Sequence, residues 1–290
     1  MCELEAWDAA MQAADFKVAE EQATAMLGNV AGPAMKARAE FMLGKAWLAD
    51  GRKESLNKDF VAAEAAFHAA LQLKPDYLDC IYEDGKALAY LNHDDLAIAR
   101  FQLFLKLAGP NDLNYARVQR FVANPDLARS RLAANFRVTT LDGKNITLES
   151  LAGKVVLLDF WAIWCPPCHI ALPHLKKIVT EFAGQPFVVL SISLDSDDGK
   201  WREFTSKNHM TWPQYRDGGY SGEISRLYGV QGVPTTAIID AEGVLQRQFV
   251  GSEDIEGKLR QLVALATAAQ KQTSSLTQIS SGSTTLAQQR

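Results

Sequence analysis

Two cysteines separated by two prolines are the residues of this chain whose types and spacing can do chemistry. Cys165 and Cys168 stand in the stretch 161–168, directly after the apolar run 155–160. Cysteines three positions apart at the start of a helix can close into a disulfide and open again, so we predict a two-electron redox centre. Cys165 is expected at the helix N-terminus, where unpaired backbone N–H groups and the helix dipole favour its thiolate. The thiolate attacks in disulfide exchange, so Cys165 is the predicted nucleophile.

The same cysteines fit two other kinds of site. With His169 they form the CxxCH pattern that attaches haem covalently. Haem attachment predicts a mainly helical domain and a distal ligand, whereas this motif follows a strand-like run. A closed zinc site needs four ligands, and His169 and His174 are the nearest further candidates. We expect an exposed position in the first helical turn for His169, and we predict neither a metal nor an organic cofactor.

Residues downstream of the cysteines favour the redox interpretation. Pro173 lies five positions after Cys168 in a segment of helical periodicity, where a proline kinks a helix. Gly-Val-Pro at 232–234 leads into the apolar run 237–239. Taken alone, that tripeptide is also typical of an ordinary loop that enters a strand.

Together these motifs make residues 135–268 resemble a thioredoxin-fold domain. The resemblance is strongest to the TlpA/ResA branch of extracytoplasmic thiol–disulfide oxidoreductases. It rests on four segments, which are 136–144, 151–156, 164–168 and 232–234. It implies an α/β domain with a central mixed sheet flanked by helices, and it implies protein-disulfide reductase activity.

The resemblance also implies roles for single residues. Pro234 is expected to be a cis-proline packed against the disulfide, a conformation that X–Pro bonds tolerate. Val233 would then present its backbone to an extended substrate segment, as in β-strand addition. The implied partners are a disulfide-bearing protein substrate and an upstream thiol reductant. The predicted substrate contacts are Trp164, Pro166, Val233 and Thr235.

One carboxyl group separates this chain from that branch. Its members usually carry a glutamate three residues after the second cysteine, where this chain has Ala171, and an asparagine in the preceding strand, where it has Asp159. A carboxyl inside an apolar run is hard to expose, and desolvation raises its pKa. We predict that Asp159 accepts the proton of Cys168 as that thiol attacks the mixed disulfide. The alternative is a carboxylate that faces solvent at a strand end.

Composition limits the other possibilities. The 290 residues exceed one typical domain, and the 48% hydrophobic content supports two cores. The formal net charge of −4 gives no electrostatic basis for nucleic-acid binding.

No apolar run approaches the length of a membrane helix. The acidic first residues do not resemble a secretory leader. We therefore expect a cell-envelope location by resemblance, with the leader absent or trimmed, or a cytoplasmic one if the chain is complete.

The first part of the chain, residues 1–131, has helical periodicity and a repeat. Ala63, Phe67 and the segment 71–75 recur 34 or 35 positions later as Ala97, Phe101 and 105–110. This pattern resembles tetratricopeptide repeats. Gly44 and Gly85 are expected where the helices of a pair approach closely, with the phenylalanines filling the space between pairs. Seven extra residues near 51–57 are expected to lengthen a turn.

These predictions divide the chain into three regions. Residues 1–131 form a helical repeat domain that we expect to bind a peptide or partner protein, as stacked helix pairs often do. Residues 132–271 form the thioredoxin-like domain, with an insert at 195–220 that carries a short helix. The Ser/Thr/Gln-rich tail 272–290 is predicted to be disordered. An alternative role for the repeats is stabilisation or dimerisation.

The sequence is also compatible with two other functions. One is a binding scaffold in which the repeats capture a partner and the redox pair regulates docking. The other is a thiol peroxidase on the same fold. A peroxidatic cysteine needs a hydroxyl group three residues before it, and that position is Ala162 here.

Overall fold

The computed structural model describes the backbone of residues 3–54 and 56–286, and the side chains of residues 4–54 and 56–272. Cys2 therefore lies outside the described residues. The chain forms two compact units, Met1–Ser130 and Arg131–Arg290. Within the described ranges, no helix is both long and apolar enough to span a bilayer.

The described part of the first unit is built from eight helices, and each of them packs against the next one in the chain. The helices are α1 (Glu3–Gln12), α2 (Phe16–Asn29), α3 (Pro33–Glu54), α4 (Asn57–Leu73), α5 (Leu78–Tyr90), α6 (Asp94–Ala108), α7 (Tyr115–Ala123) and α8 (Asp126–Arg129). This confirms the predicted helical first half. Its assignment to tetratricopeptide repeats stays a prediction.

Glycine permits the close approach of neighbouring helices in this unit. A Cβ atom at Gly44 on α3 would lie 2.6 Å from the ring of Phe67 on α4, and one at Gly85 on α5 would lie 2.5 Å from Phe101 on α6. Each ring therefore contacts the other helix of its own pair, and the Phe101 ring also packs against Phe121 on α7, with ring centroids 5.1 Å apart. The predicted filling of the space between pairs stays a prediction. Because both rings are fully buried, they cannot swing away from a larger residue.

The extra residues near position 51 lengthen a helix rather than a turn. Helix α3 continues through Glu54, and α4 begins at Asn57. Gly51 is buried, and a Cβ there would lie 2.8 Å from the ring of Phe60. Packing against that ring stabilises one more helical turn, which outweighs the low helix propensity of glycine. The predicted long turn is therefore wrong.

The second unit contains a five-stranded mixed sheet with the strand order β5-β4-β3-β6-β7 and a separate antiparallel pair, β1 and β2. The strands are β1 (Arg137–Thr139), β2 (Asn145–Thr147), β3 (Val155–Trp161), β4 (Phe187–Ser193), β5 (Gln214–Arg216), β6 (Thr235–Ile239) and β7 (Leu245–Val250). Strand β3 pairs in parallel with β4 and antiparallel with β6. The predicted α/β fold with a mixed sheet is confirmed.

Strand β3 lies at the centre of this sheet because its residues are almost all apolar. Six of its seven residues are buried, and Asp159 is half-buried. A continuous apolar run is typical of a strand that has neighbours on both edges and is covered on both faces. The strand therefore delivers the residues that follow it to a fixed place at the end of the sheet.

Besides a short 3-10 helix at Glu149–Leu151, the described part of the second unit has four α-helices: α9 (Pro166–Glu181), α10 (Asp198–Lys207), α11 (Glu223–Leu227) and α12 (Glu256–Leu286). Helix α10 is the helix predicted within the insert. The sequence predicts disorder for 272–290; the backbone of α12 is helical through Leu286, and residues 287–290 lie outside the described residues.

Candidate redox site

The end of β3 and the start of α9 position the two cysteines. Cys165 is the N-cap residue of α9, and Pro166 and Pro167 occupy its first two positions. Proline suits these positions because their N–H groups have no partner within the helix. The Sγ atom of Cys165 accepts a hydrogen bond from the backbone N–H of Cys168 at 3.2 Å. Cys165 and Cys168 are joined by a disulfide bond, with their Cα atoms 5.3 Å apart.

The loop before β6 faces the first cysteine. The Val233–Pro234 peptide bond is cis, as the family resemblance implies. The carbonyl oxygen of Val233 lies 3.5 Å from the Sγ atom of Cys165. Any chain that reaches this sulfur therefore meets the backbone of Val233.

The four predicted substrate contacts differ in accessibility. Trp164 is 56% exposed, Pro166 is exposed and Val233 is half-buried. Thr235 is 1% exposed, and its hydroxyl group donates to the carbonyl oxygen of Gly232 at 2.6 Å. The structure therefore does not offer the Thr235 side chain to a substrate. Thr235 is the first residue of β6, and its buried side chain stabilises the preceding loop through the hydrogen bond to Gly232.

Exposure does not distinguish the two cysteines in the disulfide form. Cys165 is 3% exposed and Cys168 is 6% exposed. Their surroundings do differ. Cys165 faces the Val233 backbone, whereas Cys168 lines a cavity that it shares with Asp159 and Pro234.

This cavity, called the inner cavity below, is lined mainly by apolar side chains. Its wall includes Leu157, Leu172, Leu175 and Phe204. Its volume is about 60 Å³, and one buried water needs about 10–15 Å³. The inner cavity can therefore hold water between its polar groups. Besides Cys168 and Asp159, three titratable side chains line it: His169, His174 and Glu253.

Asp159 is held in the inner cavity by its neighbour on β4. Ser191 stands opposite Asp159 in the parallel register, and its hydroxyl group donates to Asp159 Oδ2 at 2.7 Å. The indole N–H of Trp212 in turn donates to Ser191 Oγ at 2.8 Å. Burial raises the pKa of Asp159 to about 6, and the Ser191 hydrogen bond acts in the opposite direction. Such a carboxyl can change protonation state near neutral pH.

Ala171 lines the same inner cavity. The family resemblance implies a glutamate at this position in related proteins. The carboxyl group of this chain therefore occupies a different part of the wall of the cavity that Cys168 lines.

Asp195 is a site residue that the sequence analysis missed. It is 4% exposed and follows the end of β4, beside the end of β3. Its two carboxylate oxygens accept from the backbone N–H of Ile163 at 3.1 and 3.0 Å, and Ser193 Oγ donates to Oδ2 at 2.8 Å. Asp195 thus fixes the loop two residues before Cys165. Its place after a buried strand is the signal that could have found it.

The two histidines considered as metal or haem ligands have other contacts. His169 Nε2 donates to the carbonyl oxygen of Ile163 at 2.7 Å, and its ring packs on Phe204. His174 Nε2 lies 3.4 Å from Glu256 Oε1. His169 is exposed, as predicted for the first helical turn, and it holds the same loop residue as Asp195.

Comparison with known proteins matches this part of the chain. The AhpC/TSA family matches residues 130–248. ResA of Bacillus thuringiensis (strain Al Hakam), named a thiol-disulfide oxidoreductase, is 29% identical over 166 residues, 56% of this chain and 95% of the relative. ResA of Halalkalibacterium halodurans is 30% identical over 140 residues, covering 48% and 78%. The thioredoxin-like protein YneN of Bacillus subtilis is 35% identical over 132 residues, covering 44% and 76%.

The chain belongs to the ResA-like thiol–disulfide oxidoreductases. Members of this family exchange disulfides through a cysteine pair, and the closed Cys165–Cys168 bond is consistent with that chemistry. The predicted family and the predicted enzymatic activity are confirmed. Ala162, where a peroxidase needs a hydroxyl group, is a buried alanine.

Proposed function

We propose that this thiol–disulfide oxidoreductase reduces disulfides in protein substrates, with different duties for its two cysteines. The observation that supports this division is the contrast between the sulfur surroundings. Cys165 faces the Val233 backbone, where an extended chain can dock, and Cys168 faces the inner cavity. Trp164, Pro166 and the Val233 backbone are the proposed substrate contacts.

The proposed cycle begins with attack of the Cys165 thiolate on a substrate disulfide. The substrate bond breaks, one substrate sulfur leaves as a thiolate, and the other forms a mixed disulfide with Cys165. The Cys168 thiolate then attacks the Cys165 sulfur and expels the second substrate thiolate. The two electrons of the protein thiols have passed to the substrate, and the Cys165–Cys168 disulfide remains. An upstream thiol reductant restores both thiols.

Asp159 is the proposed acceptor for the Cys168 proton. With a pKa of about 6, this carboxyl is mostly ionised at neutral pH and can take a proton. The inner cavity has room for water between the two groups, since about 10–15 Å³ suffices for one molecule. Water in the inner cavity can therefore carry the proton from Cys168 to Asp159.

The redox potential should be that of a reductase. Pro166 and Pro167 contribute no N–H groups, so the Cys165 thiolate has few backbone donors, and a poorly stabilised thiolate makes the disulfide less oxidising. We expect a potential nearer the roughly −270 mV of thioredoxin than the roughly −120 mV of a dedicated oxidant. Equilibration with glutathione buffers measures it. A value above about −160 mV on that scale would refute the reductase role.

The proposed compartment is extracytoplasmic, as the resemblance to the TlpA/ResA branch supports. In such a compartment the upstream reductant must be supplied separately from the cytosolic thiol pool. The substrate protein and that reductant are proposed as classes, a disulfide-bearing protein and a dithiol donor.

We also propose that residues 1–131 bind a partner or substrate protein. A groove of about 540 Å³ in the first unit supports this proposal. Lys45 lies over its aromatic floor, with the ammonium 5.9 Å from the Trp7 ring centroid and 5.6 Å from that of Phe41. Arg38 and Lys74 also line the groove, together with Asp8 and Asp79. Aromatic residues, methionine and arginine are enriched at surfaces that bind polypeptides, and Trp7, Arg38 and Phe41 line this groove.

Charge reversal tests the groove. In a Cys168→Ser protein that traps its substrates, adding Lys45→Glu should reduce the yield of trapped complexes severalfold. Lys36→Glu is the matched control, since Lys36 is exposed on the same helix and does not line the groove. Equal yields from the two double variants would contradict partner binding by the groove and favour a stabilising or dimerising role, which sedimentation would then examine.

A further inference from the structure

Two aromatic side chains stand open to solvent beside the nucleophilic cysteine. Trp164 is 56% exposed and Tyr220 is 42% exposed. Their ring centroids lie 6.3 Å apart, with 55° between the ring planes. Trp164 directly precedes Cys165, so this pair, called the aromatic shelf below, borders the reactive sulfur. Exposed aromatic rings next to a reactive group are typical of a binding surface.

The loop that carries Tyr220 is anchored at both ends. The backbone N–H of Asp217 donates to the carbonyl oxygen of Ser193 at 2.8 Å, and Asp217 Oδ2 accepts from the N–H of Ser225 at 2.7 Å. Between these anchors Gly219 has φ +142°, a conformation that side-chain-bearing residues rarely adopt. The loop therefore places Tyr220 against Trp164 by its own hydrogen bonds and backbone geometry.

The segments that meet at Cys165 carry no charged side chains. Residues 161–168, 218–222 and 228–236 contain no Lys, Arg, Asp, Glu or His. The Trp164–Tyr220 ring contact joins the first two segments, and the contact between Cys165 and Val233 joins the first and third. A charged side chain of a substrate bound beside these segments would lose hydration without forming an ion pair to them. An apolar side chain bound there would contribute favourable free energy by burying its surface.

We propose that Tyr220 sets the substrate preference of this enzyme. Together with Trp164 it binds an apolar side chain next to the reactive cysteine of a disulfide-bearing polypeptide. This inference rests on the proposed function, because it names the class of substrate that the Cys165 site attacks.

A short peptide joined through its single cysteine to 2-nitro-5-thiobenzoate is a suitable probe. The Cys165 thiolate attacks the peptide sulfur, the probe disulfide breaks, and thionitrobenzoate leaves as a coloured thiolate. Cys168 then attacks the Cys165 sulfur and releases the peptide thiolate, which takes up a proton. The protein loses two electrons and the probe gains them. Two peptides that differ only in Leu or Glu next to the cysteine report the preference.

The reduced wild-type protein should attack the Leu peptide about tenfold faster than the Glu peptide, within the range that one apolar group contributes in a binding site. In Tyr220→Ala the ratio should fall to about twofold, because half of the shelf is gone. Tyr220→Phe keeps the ring and should keep the preference. Leu265→Ala is the matched control, since Leu265 is 61% exposed on α12.

The outcomes separate this inference from the proposed function. If the reduced wild type attacks neither peptide, the proposed reductase function is wrong. If it attacks both at equal rates, or if Tyr220→Ala keeps the wild-type ratio, the reductase function stands and the aromatic shelf does not select substrates. Circular dichroism of each variant verifies that the fold is intact.

Discussion

Replacing Cys168 with serine is expected to leave the protein covalently joined to its substrates. Without the second thiol, the mixed disulfide at Cys165 cannot be resolved, so complexes should accumulate and disappear on addition of reductant. Cys165→Ser lacks the nucleophile and should form none. Turnover should fall by at least about 10³-fold in both variants, since each removes a group that the cycle requires. Non-reducing electrophoresis and steady-state assays measure the two effects.

The other cysteines can be kept out of this experiment. Cys80 is fully buried, its Sγ lies 3.4 Å from the carbonyl oxygen of Phe67, and burial raises the pKa of its thiol well above the usual range. It serves as an internal unreactive thiol. Cys2 is removed by Cys2→Ser in every variant. In the reduced protein Cys165 should be alkylated faster than Cys168, and equal rates at both thiols would contradict the assignment.

Asp159→Asn is expected to slow the second step of the cycle and to spare the first. General base catalysis typically contributes at least about 10²-fold, so release of the second substrate thiol should slow by about that factor at pH 7. The defect should shrink as pH rises toward the ordinary thiol pKa of about 8.5, because Cys168 then ionises without assistance. Single-turnover kinetics with a peptide mixed disulfide separate the two steps. Wild-type kinetics at all pH values would show that the carboxyl has a structural role only.

The same substitution should change stability in a pH-dependent way. The pKa of Asp159 is raised from 3.8 to about 6 in the folded protein, so the folded state holds this proton more tightly than the unfolded state. The contribution of Asp159 to stability therefore falls as pH rises from about 4 to about 6 and stays low above that. Asp159→Asn removes this loss and should be more stable by roughly 3 kcal/mol at pH 8, since one pKa unit corresponds to about 1.4 kcal/mol. At pH 3 the two proteins should unfold alike.

Urea unfolding at several pH values checks this expectation. His169, His174 and Glu253 also line the inner cavity, and they are unchanged in the variant. Ser191→Ala is a useful companion, because it removes the hydrogen bond to Asp159 Oδ2 while leaving the carboxyl in place.

The sequence could predict those parts of the site that depend on contiguous residues. These parts are the apolar run of β3, the cysteine pair and the proline at 234. Each could be predicted because strand periodicity, helix capping and proline geometry depend on residues close in the sequence. Asp159 could be anticipated for the same reason. A carboxyl within a buried strand has few ways to reach solvent.

Contacts across the sheet edge could not be predicted in this way. Asp195 reaches Ile163 from 32 positions away, and that contact exists because β3 and β4 pair in parallel and end together. Tyr220 meets Trp164 across a still longer separation. The burial of the Thr235 side chain has a related origin, since its inward direction depends on where β6 begins.

The hydrogen bonds on both sides of the Ile163 residue, from its N–H and to its carbonyl oxygen, have a consequence for the energetics of turnover. Its N–H is held by Asp195 and its carbonyl oxygen by His169, and neither bond involves a sulfur atom. The peptide units before Cys165 are therefore tied to the end of β4 and to α9 independently of the redox state. These anchors stay available when the disulfide opens, because they do not use the sulfur atoms. The backbone that leads into Cys165 can therefore keep its place in both halves of the exchange cycle, with the rearrangement on each turnover confined to the cysteines and their immediate neighbours.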